Sequence, residues 1–309
     1  MRMSFSLRHV ISIKDFRRED IDEIFELAER LEPVASGMPC RLLGGKLLAL
    51  LFYEPSTRTR LSFDAAVKRL GGTSINLGSV EASSVAKGET LADTIRVVSG
   101  YADAIVLRHP REGAARMASE YSRVPVINAG DGVGHHPTQT LLDLYTIKRE
   151  KRLHDISVAL VGDLRYGRTV HSLAYALALY GARIYLVSPP QLRMPEHIKS
   201  DLSESNIVVE ETSRLEDVLT SVDVLYMTRI QRERFAEPSE YVAVAGSYRL
   251  TSEMLSDVRD DLIIMHPLPR VGEIDSSVDR TPYARYFKQS FYGVPVRMAL
   301  LVKLLEGRV

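Results

Sequence analysis

The chain has 309 residues, with 40 basic and 40 acidic side chains. That length exceeds one ordinary domain and can bury two cores, and a net charge of zero argues against a broad nucleic-acid or anionic-membrane footprint. The single cysteine, Cys40, excludes an intramolecular disulfide and a thiolate metal site and suits a reducing cytosol. The start, MRMSFSLRHV, has charges inside it and neither an apolar core nor a cleavage site. No later segment approaches roughly eighteen uninterrupted apolar residues. A soluble, cytoplasmic protein is expected.

In chain order, Lys14 to Leu31 reads as a first helix, with Ile21, Ile24, Phe25 and Leu27 on its apolar face, and Pro33 to Pro39 as a loop. Lys46 to Tyr53 (KLLALLFY) reads as a buried parallel strand. Next come Glu54-Pro55-Ser56-Thr57-Arg58-Thr59-Arg60 and a helix whose Phe63, Ala66, Val67 and Leu70 share a face before Gly71-Gly72 end it. Strand, tight turn and helix aim free backbone N–H groups outward. Ser56, Thr57 and Thr59 add hydroxyls, and Arg58 or Arg60 a charged fork, a donor set for an oxyanion such as phosphate. Ser and Thr are also ordinary helix caps. Two arginines, however, crowd the positive end of the helix dipole, where a cation is unfavourable without an anion.

Thr73 to Leu77 is expected to be a strand. Gly78 to Gly88 (GSVEASSVAKG) is a long polar loop from which Ser83, Ser84 or Lys87 could reach an anion or merely meet solvent. A helix is expected at Glu89 to Ser99, then a strand at Asp103 to Leu107 that ends in Arg108, the strand end where open α/β sheets bind ligands. A helix at Gly113 to Tyr121 and a strand at Val124 to Asn128 follow. Gly130-Asp131-Gly132-Val133-Gly134-His135-His136-Pro137-Thr138-Gln139 then opens a helix through Glu150. This is no dinucleotide loop, because the third glycine is missing. Adjacent histidines with no spaced carboxylate or Cys partner make no metal site. A neutral His near Arg108 would instead donate to a carbonyl oxygen.

Charged residues from Lys148 to Asp155 mark a boundary. A second series follows, with strands at Ile156 to Val161, Arg183 to Val187, Ile207 to Val209, Val222 to Met227, Val242 to Ala245 and Leu262 to Met265. Three of them lead into polar turns, Gly162 to Thr169, Thr228-Arg229-Ile230-Gln231 and His266-Pro267-Leu268-Pro269-Arg270. Pro295 to Glu306 reads as an apolar helix. The expected fold class is α/β, two doubly wound parallel-sheet domains with a C-terminal helix crossing back to the first. The expected boundaries are 1–148, 149–289 and 290–309.

Gly162-x-x-x-x-Gly167-Arg168-Thr169 is one residue away from a phosphate-binding P-loop, which makes a nucleotide triphosphatase a rival. That loop needs Lys rather than the rigid fork of Arg. No later strand ends in an Asp for magnesium either, since they run into Thr228-Arg229 and His266-Pro267. A non-catalytic anion-binding module would not need Arg, His and Gln at so many strand ends. The residues ask for one phosphorylated and one carboxylate-bearing ligand, with oxyanions stabilised between them, and they contain no acid pair, nucleophilic dyad or metal set.

The runs FYEPSTRTRLSF, KGETLADT, RHPREGAAR, HHPTQTLLDLYT, VGDLRYGRTVHSL, YMTRIQRER and MHPLPRVGEI closely resemble the aspartate carbamoyltransferase catalytic chains of the aspartate/ornithine carbamoyltransferase superfamily, over almost the whole length. Ornithine enzymes share Ser-Thr-Arg-Thr-Arg and His-Pro-Thr-Gln but carry His-Cys-Leu-Pro where this chain has His266-Pro267-Leu268-Pro269. With the Arg229/Gln231 turn, that favours aspartate as acceptor. The resemblance implies carbamoyl transfer from carbamoyl phosphate to aspartate in pyrimidine biosynthesis, with no cofactor and no metal. It implies that Ser56, Thr57, Arg58 and Thr59 hold the phosphate, that Arg108, His136 and Thr59 polarise the carbonyl, and that Gln139 and the Leu268 and Pro269 backbone fix the amide. Arg168 would take the α-carboxylate of aspartate, and Arg229 with Gln231 the side-chain carboxylate. Ser83 and Lys87 would enter from the neighbouring chain of a homotrimer with shared active sites, Ser84 lying beside Ser83 as the alternative serine. Glu54 and Arg270 would serve domain closure. The resemblance leaves room for a separate regulatory chain and implies no nucleic-acid or membrane partner.

Overall fold

In the computed structural model, residues 5, 7–78, 84–205, 207–235 and 237–305 are described. They form two compact units, one running to Leu142 and resuming at Phe291, the other spanning Asp143–Ser290.

The first unit holds strands β1 (Leu47–Phe52), β2 (Thr73–Asn76), β3 (Ala104–His109) and β4 (Val126–Asp131). They form an all-parallel sheet in the order β2-β1-β3-β4. An apolar run such as LLALLF suits a central parallel strand, which is covered on both faces. Ala49 and Leu51 face one layer with Ile105 and Leu107, against Ile95, Ala115 and Ala118. Helices α1 (Arg18–Ala35), α2 (Thr57–Arg69), α3 (Leu91–Val98), α4 (Ala114–Tyr121) and α5 (Pro137–Glu150) accompany this sheet in chain order. In α2, Thr59, Phe63, Ala66 and Val67 are buried at the spacing of one helical face. Gly71 ends that helix in the left-handed region at φ 85°, where a Cβ would stand 2.9 Å from the Arg41 Cα.

The second unit holds β5 (Ser157–Val161), β6 (Arg183–Val187), β7 (Val209–Thr212), β8 (Val224–Met227) and β9 (Ile263–Met265), again all parallel, in the order β7-β6-β5-β8-β9. Its helices are α6 (Arg168–Ala178), α7 (Glu196–Glu204), α8 (Glu216–Leu219) and α9 (Pro238–Val244). The core on one face joins Ala159, Val161, Leu225, Met227 and Ile264 to Val218, Leu219 and Tyr286. In each sheet the strand order reverses at one point, between β1 and β3 and between β5 and β8. Ligands in such sheets lie outside the carboxyl ends of the strands at that switch.

Helix α10 (Tyr286–Leu305) begins in the second unit and continues into the first. There Arg297 Nη1 donates to Ser62 Oγ at 3.0 Å, and Lys303 Nζ lies 2.6 Å from Glu23. The helix starts well before the expected Pro295, which stands inside it; a proline is a poor marker of a helix start when packing carries the turn through. Pro33 likewise lies within α1, whose Val34 and Ala35 are buried. The expected strand at Val242 to Ala245 is instead the end of α9. Pro238 occupies its first turn, a position proline favours, and Val242 is 71 % exposed, whereas a strand in the sheet would have buried it. No helix among the described residues is long and apolar enough to cross a membrane.

Candidate active site

In the first unit the site is built on the switch between β1 and β3. Ser56, the residue before α2, is extended at φ −159° and ψ 98°, and its side chain makes no capping bond to the helix. Thr57, Arg58 and Thr59 form the first turn, which holds no acidic residue. A helix start without a capping side chain or a carboxylate keeps its N–H groups and positive dipole for a ligand. Thr59 is buried there.

Arg108 comes to the same strand end. β1 and β3 pair through Phe52 and Arg108, and the Tyr53 N–H donates to the Arg108 carbonyl at 2.9 Å. The guanidinium is largely buried, with Nη2 3.1 Å from Glu54 Oε2 and Nη1 3.4 Å from the Ala129 carbonyl. Glu54 therefore pairs within the first unit, while Arg270 pairs with Asp279 in the second.

His136 precedes α5 and is buried, and its carbonyl accepts the N–H groups of Gln139 at 3.0 Å and Thr140 at 3.2 Å. Gln139 follows in the first turn, 9 % exposed. The loop that delivers them is pinned by Asp131, which sequence reading missed. Its Oδ1 accepts from the His135 N–H at 3.0 Å and Asn128 Nδ2 at 2.9 Å, and its Oδ2 from the Gly113 N–H at 3.0 Å. Asn and Asp three apart at a strand end were the available signal. Burial pushes the pKa of His135, and that of His109, below the ordinary imidazole value, so both rings favour the neutral form.

In the second unit the switch between β5 and β8 carries the other residues. Gly162 follows β5 at φ 120°, and a Cβ there would stand 2.3 Å from the Thr228 carbonyl oxygen. The Thr228 N–H and hydroxyl both donate to the Val161 carbonyl, at 2.8 and 3.0 Å, which sets Arg229 one residue beyond. Asp163, fully buried, accepts the Tyr166 N–H at 2.9 Å and the Gln231 N–H at 3.4 Å. Burial pushes its carboxyl upward against those backbone donors. Gln231 Nε2 donates to the Tyr166 carbonyl at 3.3 Å, and the Arg168 N–H to the same carbonyl at 3.0 Å. Arg168 and Gln231 thus hang from one turn. The same geometry removes the P-loop rival: the loop's amides turn onto its own carboxylate, where a P-loop keeps them for phosphate.

After β9, His266 leads into a cis Leu268–Pro269 bond, with Leu268 at φ 55°. A bulky residue in that region is held by its surroundings. The Leu268 N–H donates to His266 Nδ1 at 2.7 Å, so the ring proton sits on Nε2, 2.6 Å from Glu273 Oε1. Lys87 ends a short 3-10 turn, Ser84–Lys87, and is exposed. Ser83 lies outside the described residues. Ser56, Thr57, Arg58, Thr59, Arg108, His136 and Gln139 thus lie in the first unit, and Arg168, Arg229, Gln231, Leu268 and Pro269 in the second. No group of three or more His, Cys, Asp or Glu among the described residues could hold a metal ion.

Residues 8–149 match the carbamoyl-P binding domain of aspartate/ornithine carbamoyltransferases, and residues 154–304 match the Asp/Orn binding domain. The aspartate carbamoyltransferase catalytic subunit of Methanothrix thermoacetophila is 69 % identical over 299 residues, covering 97 % of this chain and 98 % of that protein. The catalytic subunit of M. jannaschii aspartate transcarbamoylase superposes with a TM-score of 0.91 at 59 % identity, covering 98 % of this chain and 99 % of that one. The Trypanosoma cruzi aspartate transcarbamoylase solved with carbamoyl phosphate and aspartate gives 0.90 at 39 % identity, covering 96 % and 95 %.

Proposed function

Because the chain belongs to the aspartate/ornithine carbamoyltransferase family, we propose that it transfers the carbamoyl group of carbamoyl phosphate to the amino group of L-aspartate, giving N-carbamoyl-L-aspartate and phosphate, in pyrimidine biosynthesis. The observation that carries this reading is the start of α2. Four consecutive donors, Ser56 to Thr59, stand at a sheet switch point with no acid in the turn and no side-chain cap.

In this reading Ser56, Thr57, Arg58 and Thr59 hold the phosphate. Thr59, Arg108 and His136 stabilise the oxyanion that forms when the uncharged amine of aspartate attacks the carbamoyl carbon. Donors fixed in place before the reaction each contribute a factor of about 10²–10³ in comparable sites. Gln139 and the Leu268–Pro269 backbone orient the carbamoyl amide. Arg168 binds the α-carboxylate, and Arg229 with Gln231 the side-chain carboxylate. The oxyanion then collapses, the C=O bond re-forming as the C–O bond to phosphate breaks, and phosphate leaves with the amine proton, so no protein base is required. Residues 1–148 form the carbamoyl phosphate domain, 149–289 the aspartate domain, and the segment from 290 onward belongs with the first. The assembly is a cytoplasmic homotrimer in which Lys87, with Ser83 or Ser84, serves a neighbour's site, and a separate regulatory chain can be accommodated.

A colorimetric carbamoylation assay with aspartate, ornithine or no acceptor tests this reading. Product with aspartate alone is expected. Ornithine turnover, or carbamoyl phosphate breakdown indifferent to acceptor, would overturn it.

A further inference from the structure

Beneath the Leu268–Pro269 turn runs a chain of polar side chains that the reaction scheme does not use. Tyr226 on β8 donates its hydroxyl to Asp143 Oδ2 at 2.7 Å. Gln289 on α10 donates its amide to the other oxygen, Asp143 Oδ1, at 2.6 Å. The Gln289 Oε1 accepts the backbone N–H of His266 at 2.9 Å. The His266 ring holds the Leu268 N–H through Nδ1 at 2.7 Å and is itself anchored by Glu273 at 2.6 Å through Nε2. Tyr226, Asp143, Gln289 and His266 are each between 0 and 1 % exposed.

Four interior polar side chains are costly to bury, and a connected set is tolerated when each member is satisfied; such a set then fixes its members in one arrangement. Here the hydrogen bonds leave little freedom. Both oxygens of Asp143 accept donors, and Gln289 must keep its oxygen toward His266 because its NH2 faces Asp143. His266 must be the Nε2–H tautomer because a backbone N–H points at Nδ1. The chain ends on Leu268, the residue held at φ 55°.

We infer that Asp143, Gln289 and His266 are positioning residues, which lock the left-handed Leu268 backbone so that the Leu268–Pro269 turn recognises the NH2 of the carbamoyl group and distinguishes it from a methyl group. The inference rests on the proposed contact between that turn and the carbamoyl amide. Its function is selectivity: acetyl phosphate has the shape and phosphate of carbamoyl phosphate but no N–H to offer.

Calorimetry on the full chain with carbamoyl phosphate, acetyl phosphate and inorganic phosphate tests this inference. The wild type should bind carbamoyl phosphate at least tenfold tighter than acetyl phosphate. His266→Ala and Gln289→Leu should lower that ratio about tenfold while affinity for inorganic phosphate stays within twofold. His266→Asn should restore most of the ratio, because an Asn side-chain oxygen can accept the N–H two residues ahead as Nδ1 does. Thermal unfolding of each variant separates selectivity from folding, and His266→Asn keeps the test decisive if His266→Ala does not fold. An unchanged ratio in either folded His266→Ala or Gln289→Leu would overturn the inference, as would an equal weakening of all three ligands. A folded His266→Asn that discriminates no better than His266→Ala would do the same. A wild type that carbamoylates aspartate but does not discriminate refutes the inference alone, whereas one that does not carbamoylate aspartate refutes the underlying reading.

Discussion

Replacing Gly162 by Ala tests how the second unit places the residues proposed to bind the aspartate carboxylates. The added Cβ would lie 2.3 Å from the Thr228 carbonyl oxygen and 2.7 Å from Thr228 Oγ1, at a backbone φ of 120°. Ordinary contact begins at 3.4 Å, so the Thr228 backbone must retreat by 3.4 − 2.3, about 1.1 Å. Thr228 is tied to Val161 by two hydrogen bonds and is followed directly by Arg229, so the displacement passes to that guanidinium. Backbone strain of about 1–3 kcal/mol and overpacking of about 1–3 kcal/mol add to roughly 2–6 kcal/mol. In a unit of this size that lowers Tm by about 4–24 °C. A misplacement of about 1 Å at a binding group costs on the order of 10²-fold, so KM for aspartate should rise at least tenfold while inorganic phosphate affinity is unchanged. Differential scanning calorimetry with steady-state kinetics reads both quantities. A Tm within about 2 °C of wild type together with an unaltered aspartate KM would refute the argument.

Three further outcomes are expected. Ser56→Ala should leave α2 nearly as stable as before, because Ser56 makes no side-chain cap bond. The usual cap loss of about 1 kcal/mol should be missing from the thermal unfolding profile, while phosphate affinity falls about tenfold or more, the worth of one bond to a charged ligand. Burial pushes the Glu273 carboxyl up, but hydrogen bonds from His266 and the Val271 N–H outweigh it and hold the pKa below the ordinary 4.5. A folded-state pKa below the unfolded one contributes stability above pH 4.5 that is lost as pH falls through the folded value. Glu273→Gln should therefore flatten the acid limb of the stability–pH curve, measured by denaturant unfolding from pH 6 downward. If sites are shared between chains, Arg108→Ala and Lys87→Ala proteins, each nearly inactive, should regain activity when mixed into hybrid trimers, and verified hybrids without activity would place Lys87 outside the neighbour's site.

What the sequence made legible was local. KLLALLFY followed by EPSTRTR has a strand's apolar run, a donor-rich turn and a helical face within a short stretch, and the structure builds β1 and α2 there. Both parallel sheets were readable from the alternation of such runs with helices. The misread segment, Val242 to Ala245, is apolar and short, and periodicity alone cannot separate a strand from a helix end at that length. Pro295 misled because proline usually opens or closes a helix, yet α10 runs through it. The supporting residues were hidden for another reason. Asp143 and Gln289 are 146 positions apart and Tyr226 and Asp143 are 83 apart, so their pairing exists only in the folded chain. An Asp set directly between Leu142 and Leu144 was the one available hint. Asp163 was visible only as part of a loop, and its role in gathering the Tyr166 and Gln231 amides depends on β5 and β8 being neighbours.

The account depends on direct transfer: fixed donors stabilise the oxyanion while no protein atom ever bonds to the carbamoyl group. Initial rates measured over a grid of carbamoyl phosphate and aspartate concentrations, with a chelator present, test this most directly. Intersecting double-reciprocal lines at full activity are predicted. Parallel lines, the mark of a carbamoylated enzyme intermediate, or a rate abolished by the chelator, would contradict it.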